Sequence, residues 1–233
     1  MTHTRIAHRG FAAVAEENSL AAIRGALALG CDMIEVDVRR RADGALVLHH
    51  DSGDAPRAPL FSEALELITA AGSSVMADLK EGRTSADVAA ALATHAPGII
   101  AVVSGNPDEA RAVKAKLPTV LAGRTWPNRN GQNIPVAESI VSWYHRRQLV
   151  ARLDDHLLDG FDLLVAFHRT LSRAAVAHCH ELGRQVYAWT VDGTARVEWL
   201  RSIGVDGVIS DEPASLGFEV LGNPHPAPGV HGT

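Results

Sequence analysis

Two histidines, an arginine and a pair of carboxylates stand where this chain could act on a phosphate ester. His8-Arg9-Gly10 closes a short apolar segment, Glu35-Val36-Asp37 lies in a second one, and His50-Asp51 follows soon after. Glu35 and Asp37 are the most informative, because residues i and i+2 of a strand point to the same face. Their neighbours Ile34, Val36 and Val38 make the other face apolar. Two carboxylates on one side of such a strand must meet water, a metal or a partner cation. Their repulsion in a confined site is best relieved by a bound divalent ion, and oxygen-only ligands suit Mg2+ or Ca2+ better than Zn2+. Taken singly, His8 also reads as a satisfied strand-end histidine and Arg9 as a surface cation. Together these groups are the parts for metal-assisted cleavage of a phosphate ester.

Such groups need a scaffold, and the rest of the chain supplies an alternating one. Strands are expected at Arg5–His8, Met33–Arg39, Ser74–Lys80, Gly98–Val103, Thr119–Arg124, Asp162–Phe167, Gln185–Val191 and Gly207–Ser210. Helices are expected at Ser19–Leu29, Ser62–Ala71, Ser85–Thr94, Asp108–Leu117, Val136–Val150, Leu171–Leu182 and Thr194–Ser202, with cap signals at Asn18-Ser19, Ser62 and Asn106-Pro107. Gly30, Gly72, Gly183 and Gly204 stand where helices should stop. Alternating strands and helices of this kind predict an α/β protein, a TIM (β/α)8 barrel whose chemistry sits at the C-terminal ends of the strands.

Those ends carry His8-Arg9, Glu35 and Asp37, Asp78 and Lys80, Ser104 and Asn106, Arg124, His168-Arg169, Trp189-Thr190 and Asp211. The strand interiors are Val, Ile, Ala and Leu. Asp43-Gly44 makes a tight turn into Leu46-Val47-Leu48, which would bring His50 back toward the same rim. In an extended segment His49 and His50 point to opposite sides, so only one can face the site.

Composition narrows the partners. With 233 residues and 46% hydrophobic content the chain can bury one large core. A net charge of -5 and scattered arginines give no field for a nucleic-acid backbone. Cys31 and Cys179 are expected to be buried, reduced thiols. No leading apolar signal segment and no run of about 18 apolar residues is present, so a cytoplasmic protein without stable membrane anchoring is expected. One domain over 1–221 is expected, with a Pro/Gly-rich, disordered tail over 222–233 whose His225 and His231 need no function. Nothing in the sequence sets an oligomeric state.

The residues resemble the glycerophosphodiester phosphodiesterase family. The resemblance rests on Ile6-Ala7-His8-Arg9-Gly10, Glu17-Asn18-Ser19, Glu35-Val36-Asp37, Gly44 through His50-Asp51, Asp78-Leu79-Lys80, Trp189-Thr190-Val191 and Gly204 through Pro213, in that order. It implies a TIM barrel with a divalent metal at the rim, cleaving a small-molecule phosphodiester between glycerol and an alcohol. It implies further that His8 and His50 are the acid/base pair, that Glu35 and Asp37 bind metal, and that Arg9 binds phosphate. In the family the nucleophile is often the neighbouring glycerol hydroxyl, which gives a cyclic phosphate that water then opens. His50 is matched rather than His49 because Asp51 follows it.

The departures matter as well. Where the family has a third metal-binding Glu in Glu-x-Lys, this chain has Asp78-Leu79-Lys80, one methylene shorter. Glu16 replaces the usual proline before Glu-Asn, a change expected to affect only loop shape. Ser52 through Pro56 runs almost directly to the next helix, a shorter cover than the family's usual insertion. Lys80 is expected to bind phosphate oxygens with Arg9, and Trp189 reads equally as a stacking wall or as core. Arg124, with Trp126, Asn128, Arg129 and Asn130 behind it, is expected to set substrate selectivity. His168-Arg169 could bind a second anionic group, but surface placement on the following helix is the expectation. Two alternatives to glycerophosphodiester hydrolysis stay open at this point: phospholipase D-like cleavage of lysophospholipids to a cyclic phosphate, and a catalytically weak binding barrel.

Overall fold

Nine strands among the described residues form one sheet: β1 (Thr4–Ala7), β2 (Met33–Arg40), β3 (Leu46–Leu48), β4 (Ser74–Leu79), β5 (Ala101–Gly105), β6 (Leu121–Trp126), β7 (Leu163–Phe167), β8 (Gln185–Trp189) and β9 (Gly207–Ser210). The computed structural model describes residues 3–53, 55–127, 135–154 and 156–217. All strands but β3 run parallel, each bonded to the next, and β1 pairs with both β2 and β9. That double pairing closes an eight-stranded barrel, as the strand–helix alternation predicts. β3 is a short antiparallel addition to the end of β2, with Val38 opposite Leu48 and Arg40 opposite Leu46. It follows the predicted turn at Gly44, whose φ of 92° is the left-handed conformation that favours glycine.

Seven helices among the described residues form the outer layer: α1 (Leu20–Ala28), α2 (Phe61–Ala70), α3 (Ser85–His95), α4 (Pro107–Lys116), α5 (Pro135–Asp154), α6 (Arg173–Glu181) and α7 (Thr194–Ser202). Alternate residues of the strands separate into two layers. Ile6, Met33, Met76, Val102, Leu163, Val165, Tyr187 and Ile209 fill the barrel interior. Ala7, Ile34, Val36, Val38, Val75 and Ala77 face outward and meet Ile23 of α1 and Phe61, Leu65 and Ile68 of α2. Those four helix residues are fully buried, each contributing roughly 1.5–3 kcal/mol of transfer free energy. Glu35 and Asp37 share the parity of Met33, so β2 carries them into the barrel mouth rather than under the helices.

The helix starts are fixed chemically. The Ser19 hydroxyl accepts from Ala22 N (3.0 Å), the Asn106 side chain from Asp108 N and Glu109 N (3.1 and 3.3 Å), and the Ser172 hydroxyl from Ala175 N (3.2 Å). Ser62 is not the expected cap. It lies inside α2, which starts at Phe61 with the Glu63 carboxylate accepting from Leu60 N at 2.9 Å. Glu109 reaches back from α4 and accepts the N–H groups of Arg83, Thr84 and Ser85 at the start of α3 (2.7, 2.8 and 2.7 Å).

Three strands begin later than expected, β7 by a single residue, at Leu163 rather than Asp162. β5 starts at Ala101 rather than Gly98, and β6 at Leu121 rather than Thr119. Gly98 adopts a φ of 81°, outside extended geometry, and the register pairs Val75 with Ala101. β8 stops at Trp189, and the segment before α6 is a 3-10 turn, His168–Thr170, instead of helix. Between His49 and Leu60 the described residues form no further strand or helix apart from one bridge, Val47 to Leu60, so the cover beside the site is short. The expected tail over 222–233 and the loop positions Asn128, Arg129 and Asn130 lie outside the described residues.

Candidate active site

The C-terminal ends of β1, β2, β4 and β9 bring one cluster together. Glu35, Asp37 and Asp78 each present a carboxylate oxygen within 4.8 Å of the others. Asp37 is fully buried and Glu35 nearly so. Three ionised carboxylates in such a space would repel strongly, and the fold answers with two cations. Lys80 Nζ lies 2.7 Å from Asp37 Oδ1 and 2.5 Å from Asp78 Oδ2. Arg9 Nε lies 3.0 Å from Asp37 Oδ2, and its Nη1 contacts Glu17 at 2.8 Å.

Asn18 completes the cradle of Asp37. Its Nδ2 donates to Asp37 Oδ2 at 2.8 Å and its Oδ1 accepts from Asp37 N at 3.0 Å. Arg9 and Asn18 both adopt left-handed φ values, 54° and 57°. Such residues are strained unless their surroundings hold them. Asn18 N donates to Arg9 O at 3.0 Å, so the two sites brace each other.

Asp78 reaches the cluster despite its short side chain. Its Oδ1 accepts from the Ser104 hydroxyl of β5 at 2.9 Å, leaving Oδ2 toward Lys80. Gly105 stands directly beside it: a Cβ there would lie 2.5 Å from Leu79 O and 2.7 Å from Asp78 Oδ1. Only glycine leaves room for the carboxylate.

His8 is held in one orientation. Its Nδ1–H donates to Asp211 Oδ1 at 2.6 Å, which leaves Nε2 facing the cluster, 3.9 Å from Glu35 Oε2. Asp211 is positioned in turn by Asp192, whose Oδ1 accepts from Asp211 N (3.2 Å) and from the Ser210 hydroxyl (3.0 Å).

These charges move one another's protonation. Burial and then the Asp37 charge push Glu35 well above the usual carboxylate range. Burial pushes Asp37 the same way, but Lys80 and Arg9 outweigh it and hold its carboxyl low. For His8, burial favours the neutral ring, yet the Glu35 charge and the Asp211 hydrogen bond outweigh it and raise its pKa. Lys80 is pushed down by burial but held far more firmly charged by Asp78, Asp37 and Glu35.

The remaining expected residues are distributed unequally. His50 lies at the edge of the mouth with its side chain 42% exposed; its Nδ1 pairs with Asp51 at 2.9 Å, and its carbonyl accepts from Arg39 Nε at 3.0 Å. The His49 N–H donates to Asp37 O at 3.1 Å, which puts this segment beside the same rim, and the Asp51 carboxyl is lowered, first by His50. Trp189 packs on the interior cluster, donates its indole N–H to Val165 O (3.1 Å) and tilts against Phe167 at 5.4 Å. These contacts make it part of the interior core at the end of β8.

Arg124 is not brought to this site. Gly123 and Thr125 take the inward parity of β6, and Arg124 pairs in register with outward Leu164. Its guanidinium lies 5.9 Å from the Phe161 ring, beneath α4, where burial and then Arg111 lower its pKa. Selectivity cannot be set by a side chain under the helix layer. His168-Arg169 is corrected in the other direction, from the following helix to a rim turn. The positioning residues Asn18, Ser104, Asp192 and Asp211 escaped the sequence reading as partners. Asn18, Ser104 and Asp211 are named only as members of matched segments, cap signals or strand ends, and Asp192 is not named at all.

The sequence profile of the glycerophosphoryl diester phosphodiesterase family matches residues 8–57 and 74–215. A glycerophosphodiester phosphodiesterase of Caldanaerobacter subterraneus subsp. tengcongensis is 25% identical over 249 residues, covering 91% of this chain and 95% of that relative. The structure of an Oleispira antarctica phosphodiesterase in complex with the product sn-glycerol-3-phosphate superposes with a TM-score of 0.72 at 25% identity, covering 91% of this chain and 94% of that one. A glycerophosphodiester phosphodiesterase from Agrobacterium tumefaciens shares the fold at a TM-score of 0.68 and 20% identity, covering 92% and 99% of the two chains. With a profile match covering residues 8–57 and 74–215 over a closed barrel that gathers carboxylates, an imidazole and two cations at one rim, the chain belongs to the glycerophosphoryl diester phosphodiesterase family and is a phosphoric diester hydrolase.

Proposed function

We propose that the chain hydrolyses a glycerophosphodiester to glycerol phosphate and an alcohol by histidine acid–base catalysis beside a divalent-cation site. The observation that carries this reading is the convergence of Glu35, Asp37 and Asp78 within 4.8 Å, next to a His8 whose Nδ1 is fixed by Asp211. The donor set fits a hard cation. It is all oxygen, it carries more negative charge than Lys80 and Arg9 fully offset, and Lys80 already shows that a positive group can sit between Asp37 and Asp78. Glu35, Asp37 and Asp78 would hold Mg2+ or Ca2+. Such an ion, when bound, supplies charge neutralisation and polarisation of a phosphoryl oxygen.

This chain's own residues do the rest. Arg9 and Lys80 bind the anionic oxygens of the diester, Arg9 through its planar fork and Lys80 as a point charge. His8 exchanges its proton through Nε2, since Nδ1 is committed to Asp211. His8 and His50 divide the two proton transfers, one taking the proton of the nucleophile and the other giving one to the leaving alcohol. Trp189 and Phe167 bound the organic part of the substrate on the far side. A cytoplasmic location fits two buried free thiols, Cys31 and Cys179, that burial pushes up to about 12.

A phosphorus NMR time course with a panel of glycerophosphodiesters tests the reading. Glycerol phosphate should form with Mg2+ or Ca2+ and not in excess chelator. Undiminished turnover in chelator, or no product from any member of the panel, overturns it.

A further inference from the structure

Across the mouth from the acidic floor, the rim carries a second charged cluster of opposite sign. It is built on the 3-10 turn His168–Thr170 that follows β7. Arginines from two helices, α5 before the strand and α7 beyond β8, staple the carbonyls of this turn. Arg146 of α5 donates to Arg169 O through Nε and Nη2 at 3.2 and 2.8 Å. Arg196 of α7 donates to His168 O through Nη2 at 2.6 Å, and Trp199 holds its guanidinium 4.1 Å from the ring centroid.

Arg146 and Arg196 give these donors to backbone carbonyls rather than to carboxylates. Arg5, Arg9, Arg39, Arg40, Arg41 and Arg111 each meet a carboxylate. Among the described residues no carboxylate pairs with Arg146 or Arg196, and Arg196 Nε and His168 Nδ1 are buried with no hydrogen-bond partner. Guanidiniums held close together repel one another, and an anion bridging Arg146 and Arg196 relieves that repulsion. The strain registers in the neighbours: burial first, then Arg196 and Arg169, bring His168 down to about 4, so its ring is neutral near pH 7.

The turn is joined to the barrel mouth by an aromatic ledge. Trp189 on the interior core meets Phe167 at 5.4 Å, and Phe167 meets the His168 ring at 4.9 Å. A diester with its phosphate on the acidic floor can run its alcohol portion along this ledge. The cations of the floor, Arg9 and Lys80, are taken up by the phosphate of the diester itself, so a second anion needs cations elsewhere on the rim.

We infer that His168, Arg146 and Arg196 form a subsite for a second anionic group, a phosphate monoester or carboxylate carried on the alcohol side of a glycerophosphodiester. The inference rests on the function proposed above and deepens it. The same cations would disfavour a headgroup ending in a quaternary ammonium.

Two substrates that differ by one phosphate test it: glycerophosphoinositol and glycerophosphoinositol 4-phosphate. In the unaltered enzyme kcat/KM should be about tenfold higher for the phosphorylated one, the size of one charge-assisted contact. In Arg146→Gln/Arg196→Gln the ratio should fall toward one, while kcat/KM for the uncharged headgroup moves far less. An equal ratio in both proteins overturns the subsite. Because Arg196 also braces the turn, a second measurement uses the unaltered protein in chelator. The His168 ring proton signal should move saturably with inorganic phosphate and stay fixed in sodium chloride of equal ionic strength. A response identical in the two salts overturns the subsite. Saturable binding without turnover of any diester supports the subsite and sinks the proposed reaction instead; turnover with neither preference nor a phosphate response does the reverse.

Discussion

On the N-terminal rim of the barrel Asp32, Asp162 and Asp206 each stand one residue before a strand. Each accepts the N–H of a neighbouring strand, from Arg5, Ala122 and Val186 at 2.8, 2.8 and 2.7 Å. Each also meets one basic group, Arg5 Nε at 2.9 Å, Lys114 Nζ at 2.6 Å and His180 Nε2 at 2.9 Å. On the C-terminal rim Glu35, Asp37 and Asp78 point at one another instead and share Lys80 and Arg9 between them. One acid per base satisfies the charge locally and leaves nothing over for a ligand. Convergence leaves excess negative charge in a buried space, which is why the Glu35 carboxyl is raised while Asp37 stays low. Removing a carboxylate should therefore cost activity at one end of the barrel and stability at the other.

The strongest test of that contrast is Glu35→Gln. It should abolish cation-dependent turnover, by roughly 1000-fold or more if several kcal/mol of transition-state stabilisation depends on the ion. The melting temperature in chelator should hold or rise, because a buried like charge is relieved. A large fall in melting temperature would erase the distinction between the rims.

Next come the histidines. His8→Ala and His50→Ala should each slow turnover by about 100-fold or more, the usual size of an acid–base contribution, with His49→Ala nearly silent. Steady-state rates on one diester decide it, and a large loss at His49 with none at His50 would reassign the second imidazole. Asp211→Asn probes the support behind His8 and should cost roughly 10- to 100-fold. It should also move the His8 limb of the kcat/KM profile to lower pH, because the Asp211 hydrogen bond helps raise that pKa. A rate loss with an unmoved profile would make Asp211 merely structural.

Cation affinity is the finer probe. Calorimetric titration of Mg2+ and Ca2+ should show weaker binding in Asp78→Ala and preserved or tighter binding in Asp78→Glu. In the unaltered protein affinity should rise with pH, since Glu35 must lose a proton that burial and Asp37 help it keep. Affinity unchanged in Asp78→Ala would leave the site to Glu35 and Asp37.

The smallest effect belongs to the other rim. Asp32→Ala should cost a few tenths to about 1 kcal/mol, the scale of a half-exposed pair with a backbone bond, and leave kcat unchanged. The Asp32 pKa is lowered in the fold; burial opposes this, but its bonds to Arg5 outweigh it. Its contribution is therefore present above the ordinary aspartate range and lost as pH falls through it, so the two proteins should converge in acid denaturation. A stability gap that persists in acid would mean Asp32 acts through packing.

The residue sequence by itself determined the alternation of strands and helices, the membership in a family, and the shared face of Glu35 and Asp37. These are local properties: the period of a strand is two, and an i, i+2 pair stays on one side wherever the strand is placed. It did not determine where β5 and β6 begin, because Gly98-Ile99-Ile100 and Thr119-Val120 continue apolar runs, and only pairing with the neighbouring strand selects the residues that join. Arg124 was misread for the same reason, since a polar residue at a strand end faces the mouth or the helices according to register. The Asp211 bond to His8 spans 203 positions and exists because β1 and β9 meet when the barrel closes. The cations of Arg146 and Arg196 gather at one turn because α5 precedes β7 and α7 follows β8, the strand paired beside it. Local pattern names the groups and their faces; closure and register decide which groups share a space, because that distance is set by the whole sheet and by no segment of it.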